Sequence, residues 1–77
     1  MENEALQRRI GRLEADLRQI NVSIASWEAE LRDLEEESSG KVIGANIVSR
    51  IKKARDTIAS LNTNKQRTER ELEGLRR

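Results

Sequence analysis

The sequence predicts an all-α protein folded as an antiparallel helical hairpin, a two-helix coiled coil, and three observations support this prediction. The chain of 77 residues contains no proline, and charged residues make up 38% of it. Apolar residues recur at heptad spacing in both halves, as in a helix that packs along one narrow stripe. The two halves are out of heptad phase across a stretch with two glycines, which indicates two helices joined by a turn.

The first helix is predicted over about residues 3–38. The stretch INVSI, residues 20–24, alternates apolar and polar residues like a strand. The heptad phase nevertheless continues through it without a slip, which a strand could not do, so a helix is the better prediction. The seam positions a and d of this helix are Leu6, Ile10, Leu13, Leu17, Ile20, Ile24, Trp27, Leu31 and Leu34.

The second helix is predicted over about residues 42–76, after a turn at about residues 39–41. Gly40 is suited to end the first helix, because glycine adopts a left-handed backbone conformation without strain. In the alternative, the turn extends to residue 46 and Asn46 caps a later helix start. The apolar seam positions of this helix are Ile47, Ile51, Ala54, Ile58, Leu61, Leu72 and Leu75, and the polar residues Lys65 and Thr68 occupy two further seam positions.

The two seams predict a register for the hairpin. In it, Leu6 lies opposite Leu72 and Ile24 lies opposite Ala54, so that the turn centres on residue 39 and the chain ends come out level. Because a sits opposite d in an antiparallel pair, a register shifted by one heptad satisfies the same apolar pattern. Another property of the sequence must therefore decide between the two.

Charge favours the first of these registers. It places Arg9 near Glu71 and Glu30 near Arg50, and both pairs attract. A shift of one heptad would instead bring acidic residues opposite one another. Each exposed pair contributes only about 0.2 to 1 kcal/mol, so these charges select the register more than they stabilise the hairpin.

The composition excludes most enzyme chemistry. The chain has no histidine and no cysteine, which removes the usual bases, nucleophiles and soft-metal ligands. Its acidic run, residues 35–37, is consecutive on a helix end and points in different directions. We therefore expect no catalytic, cofactor-binding or metal-binding residues and no cofactor. No apolar run is long enough to cross a membrane or to form a signal peptide, which favours a cytoplasmic location.

Two uncharged stretches predict a second interface. QINVSIASW, residues 19–27, and TIASLNTN, residues 57–64, lie in the middle of the two predicted helices, where outward-facing positions usually carry charge. Small outward residues permit another helix to approach closely. In the alternative, these are ordinary residues of a helix surface without a binding role. The candidate interface residues are Ala15, Val22, Ala25, Ala29 and Ala59.

A nucleic-acid-binding hairpin dimer is the alternative function, with Arg8, Arg9 and Arg12 as candidate contacts. The formal net charge is only +1, and no stacking aromatic residues accompany these arginines, so a solvated, paired surface is favoured. The outline resembles the RNA-binding Rop-type hairpin dimer in shape alone. It is also similar to the small helical hairpins exported by type VII secretion systems, but their Trp-x-Gly motif is not matched, because Glu28 and Ala29 follow Trp27.

The sequence therefore predicts a non-enzymatic module for protein–protein interaction, acting as an adaptor or scaffold through helix–helix packing. A chain this short is near the limit for an independent core, which favours a homodimer built as a four-helix bundle. A different helical protein is the other expected partner, whereas nucleic acid is not favoured and no membrane is expected. A stalk excised from a larger protein and a small secreted hairpin remain further alternatives.

Overall fold

The computed structural model describes residues 2–38 and 44–76, which form two α-helices. Helix α1 spans Glu2–Ser38 and helix α2 spans Ala45–Leu75. The helices lie side by side as a rod with dimensions of 62 × 16 × 14 Å. An ion pair joins Arg9, near the start of α1, to Glu71, near the end of α2, so the helices run antiparallel. The predicted all-α helical hairpin is confirmed.

Helix α2 begins at Ala45, later than the predicted residue 42. Gly44 precedes it in an extended conformation, with φ of −73° and ψ of 152°. The Gly44 carbonyl accepts hydrogen bonds from the amides of Ile47 and Val48, at 3.1 and 3.3 Å. Asn46 therefore lies in the first turn of the helix and is not its cap. The predicted turn at residues 39–41, and residues 42 and 43, lie outside the described residues.

The two helices are aligned one heptad away from the predicted register. The guanidinium of Arg55 lies 3.3 Å from the carboxylate of Glu35. In the predicted register these two residues would be about 18 Å apart along the rod, at 1.5 Å per residue, which is too far for their side chains to meet. A shift of one heptad reduces this separation to about 7.5 Å. The ion pair between Glu14 and Arg76 requires the same shift.

The observed register explains how deeply the ends of the seam are buried. It places Leu72 level with Leu13 and Ala54 level with Leu31. Leu72 is only 3% exposed and Ala54 is fully buried. Leu6, the predicted partner of Leu72, instead lies beyond the last turn of α2 and is 38% exposed. The prediction that Leu6 faces Leu72 is therefore wrong.

The predicted charge pairs did not discriminate between the registers. Arg9 and Glu71 do pair, at 2.9 Å, but their long side chains can also reach each other in the observed register. The other predicted pair, Glu30 with Arg50, is not among the ion pairs of the described residues. The apolar pattern could not decide between the registers either, because a heptad repeat fits both.

The core of the hairpin is a single stripe along the seam. Its buried residues are Ile24, Leu34, Ala54 and Leu72, and no polar side chain is buried in the described part of the chain. Most other apolar seam residues are only half-buried: Ile10, Leu13, Leu17, Ile20, Trp27, Leu31, Ile47, Ile51, Ile58, Leu61 and Leu75. A lone hairpin thus leaves much of its apolar seam in contact with water, and this limits its stability.

Candidate helix–helix interface

The two uncharged stretches lie side by side at the middle of the rod. In the observed register, residues 57–64 of α2 are level with residues 21–28 of α1, next to the stretch 19–27. We call these two segments together the uncharged band. The two segments overlap over residues 21–27, so the band encircles the rod over about 10 Å of its length, at 1.5 Å per residue. The predicted register would have brought only the ends of the two stretches together.

All five predicted interface residues are exposed. Val22, in the centre of the band, is the most exposed large apolar residue identified in the described chain, at 64%. Ala15 and Ala29 lie in the same outward column of α1, one heptad before and after it. Ala25 and Ala59 lie on the two helices at the same level of the rod. The structure therefore places Val22, Ala25 and Ala59 at the level of the band, whereas Ala29 lies two residues beyond it and Ala15 four residues before it.

Ala25 and Ala59 mark one side of the hairpin, which we call the alanine side. Both occupy heptad position b, next to the e positions that hold the Glu35–Arg55 and Glu14–Arg76 ion pairs. One pair lies towards the turn and the other towards the chain termini, so the two pairs bracket the uncharged band. Within the band itself, the b and e positions of this side hold only Asn21, Ala25, Ala59 and Asn62, so a neighbouring helix could approach the alanine side closely there.

Val48 is an exposed apolar residue that the predicted interface did not include. It is 53% exposed. It occupies an e position of α2 on the alanine side, near the turn. An apolar residue at an e position was the signal that could have identified it, because flanking positions usually carry polar side chains.

A groove runs between the helices on the opposite side of the rod. Its floor contains Ile20 and Leu61, which the sequence assigned to the seam alone. The hydroxyl of Thr68, a polar seam residue, donates a hydrogen bond to the carbonyl of Asn64 at 2.9 Å. The groove is lined by Asp16, Gln19, Ile20, Ser23, Leu61, Asn64, Arg67 and Thr68. Its rim therefore includes charged residues, unlike the centre of the alanine side.

The three candidate arginines for nucleic-acid binding line a common groove at the start of α1. Arg8, Arg9 and Arg12 share this groove with Glu71, and Arg9 donates a hydrogen bond to that carboxylate at 2.9 Å. The only aromatic residue of the chain, Trp27, lies in the other half of α1. The groove thus combines positive charge with an internal acidic partner and lacks a surface for base stacking.

Within residues 2–38 and 44–76, no three acidic side chains come together as a metal site requires. Separately, neither helix, over its described length, contains an apolar segment sufficient to span a bilayer.

Comparison with known proteins identifies no relative of this chain. No protein-family model matches the chain, and no curated protein or solved structure matches it. Function must therefore be inferred from the surfaces of the hairpin, and the uncharged band is the surface that differs most from an ordinary solvated helix.

Proposed function

We propose that this chain is a non-enzymatic protein–protein interaction module that acts by helix–helix packing, and that its partner is a second copy of itself. The observation that carries the proposal is the alignment of the two uncharged stretches into one band, with Val22 exposed at its centre. A monomeric hairpin would be expected to carry charged side chains on its solvated surface within the band, as it does on both sides of the band.

The thin core supports self-association independently of the band. Only four side chains are buried among the described residues, and one of them is an alanine. Small domains of this kind commonly gain the missing burial by oligomerisation. Two hairpins packed through the alanine side would form a four-helix bundle and cover Val22, Ala25 and Ala59.

Replacement of Val22 by glutamate tests the proposal. We expect the wild-type protein to have about twice the chain mass of 8.8 kDa in light scattering after size exclusion. Val22→Glu should lower the mass to that of one chain while the circular dichroism remains helical, because the substitution places a charge in the interface but not in the seam. The matched control is Gln7→Glu, an equally charged change at an exposed α1 position outside the band.

Two outcomes would contradict self-association. One is a folded monomer of the wild-type protein over the whole concentration range. The other is an unchanged dimer mass for Val22→Glu, which would place the interface on another surface. Loss of the dimer in both Val22→Glu and Gln7→Glu would implicate net charge rather than the band.

The groove lined by three arginines keeps a nucleic-acid-binding dimer as the second candidate. It predicts binding to labelled RNA or DNA that weakens steeply with salt and disappears when Arg8, Arg9 and Arg12 are replaced by alanine. Fluorescence polarisation at low and physiological salt measures this directly. Our proposal expects no such binding, since Glu71 already engages Arg9. Salt-sensitive binding that the triple variant loses would favour the second candidate.

A further inference from the structure

The charges of the two helices separate by sign in the half of the rod nearer the turn. Residues 28–37 of α1 include six acidic residues and one basic residue, a net charge of −5. Residues 45–56 of α2 include four basic residues and one acidic residue, a net charge of +3. We call these segments the acidic edge and the basic edge. Each hairpin thus presents two oppositely charged edges at the same level of the rod.

The two edges are only slightly neutralised within one chain. Glu35–Arg55 is the one ion pair between them in the described part of the chain. Lys52 on the basic edge and Glu28 on the acidic edge are exposed, and they occupy b and e positions on the alanine side. Both edges therefore remain available to an oppositely charged surface.

The half of the rod nearer the chain termini lacks this separation. Residues 4–18 of α1 include four basic and three acidic residues, a net charge of +1. Residues 65–76 of α2 also include four basic and three acidic residues, again a net charge of +1. The rod therefore has one half with two oppositely charged edges and one half that is nearly neutral.

The uncharged band alone permits two orientations of a symmetric pair of hairpins. When the rods are parallel, with both turns at one end, α1 of each copy lies against α2 of the other. When the rods are antiparallel, α1 lies against α1 and α2 against α2. Because the band is near the middle of the rod, it would face its copy in both arrangements.

The charged edges distinguish these orientations. In the parallel pair, each acidic edge lies along the partner's basic edge, and this contact occurs twice by symmetry. In the antiparallel pair, each edge lies instead against the nearly neutral half of the partner, so neither edge meets a segment of strongly opposite charge. We propose that two copies pack in parallel, with the acidic edge of each hairpin along the basic edge of the other. This proposal rests on the self-association proposed above.

Spin labels can measure the orientation, because the chain contains no native cysteine. Gln7→Cys places one label per chain at an exposed site near the termini. In a parallel dimer the two labels should lie within about 25 Å, since neighbouring helices in a bundle are about 10 Å apart. In an antiparallel dimer they should lie about 50 Å apart at 1.5 Å per residue. Gln66→Cys, close to the middle of the rod, is the control that should give a short distance in both cases.

Charge reversal provides a second readout that needs no label. Lys52→Glu should weaken the parallel dimer about tenfold in Kd, because the change repels the acidic edge in two symmetric contacts. In an antiparallel dimer the same change would face the nearly neutral half of the partner and would change the Kd little. Sedimentation equilibrium at low salt measures the Kd.

The outcomes separate the two proposals. A dimer with a short Gln7→Cys distance and a raised Kd for Lys52→Glu supports the parallel arrangement. A dimer with a distance near 50 Å, or a Kd that Lys52→Glu does not raise, overturns the orientation and leaves self-association standing. A wild-type monomer overturns both.

Discussion

Two residues of α1, Val22 and Ile24, are close in sequence but lie in opposite environments. Val22 is 64% exposed and Ile24 is 8% exposed. The heptad pattern predicted that Ile24 lies in the seam and that Val22 faces outward. The pattern did not predict how deeply each seam residue is buried. Leu6 and Leu72 occupy similar seam positions, yet their exposures of 38% and 3% depend on where α2 ends.

Ile24→Glu should unfold the hairpin. The substitution places an unpaired charge in the buried seam, and a core of this size supplies only about 3 to 5 kcal/mol of stability. We expect the helical circular dichroism signal to be largely lost at 25 °C. Val22→Glu is the matched control, since the same charge at an exposed site should preserve the signal. Cooperative unfolding of Ile24→Glu at the wild-type midpoint would contradict the assignment of Ile24 to the core.

At the level of helices, the sequence predicted both elements and their antiparallel pairing but not their register. A heptad pattern superimposes on itself after a shift of seven residues, so the apolar residues fit both registers. Weak pairs between long side chains could not decide between them, as Arg9 and Glu71 illustrate. The observed register follows instead from the ion pairs Glu35–Arg55 and Glu14–Arg76, which the sequence did not predict.

Helix α2 begins without a side-chain cap, and one substitution at its N-terminus should stabilise it. Gly44 has no side chain to cap the helix, and the first turn contains no acidic residue. Gly44→Asp should raise the free energy of unfolding by about 0.5 kcal/mol, because the carboxylate can accept an amide hydrogen bond and interact favourably with the helix dipole. Urea denaturation measures the change.

Gly44→Ala is the control for this substitution. The backbone angles of Gly44 suit any residue, and no atom lies within 4 Å of the position that a Cβ would occupy. Alanine therefore fits but offers no hydrogen-bond acceptor. If Gly44→Ala stabilised the protein as much as Gly44→Asp, capping would not be the cause.

For the whole molecule, the uncharged band could be predicted in part. The sequence located its two segments and the residues Val22, Ala25 and Ala59. Their alignment at one level depends on the register, and so does the opposition of the acidic and basic edges. Both properties combine residues from distant parts of the chain, and neither helix contains them alone.

The thermal stability of the molecule should depend on its concentration. If folding and association are linked, the dimer is favoured at high protein concentration and the Tm rises with it. We expect the Tm in scanning calorimetry to rise over a hundredfold increase in concentration. Val22→Glu should show a lower Tm that does not vary with concentration. A constant wild-type Tm would indicate that the folded state is a monomer or a dimer that does not dissociate on unfolding.

The antiparallel arrangement of α1 and α2 also has a consequence for any protein joined to this chain. The polypeptide travels out along a rod 62 Å long and returns to the pole from which it started. Two domains fused to its two ends would remain neighbours, while the last turn of α1 and the first turn of α2 would lie at the far pole. The hairpin thus extends in one direction without increasing the distance in space between its two attachment points.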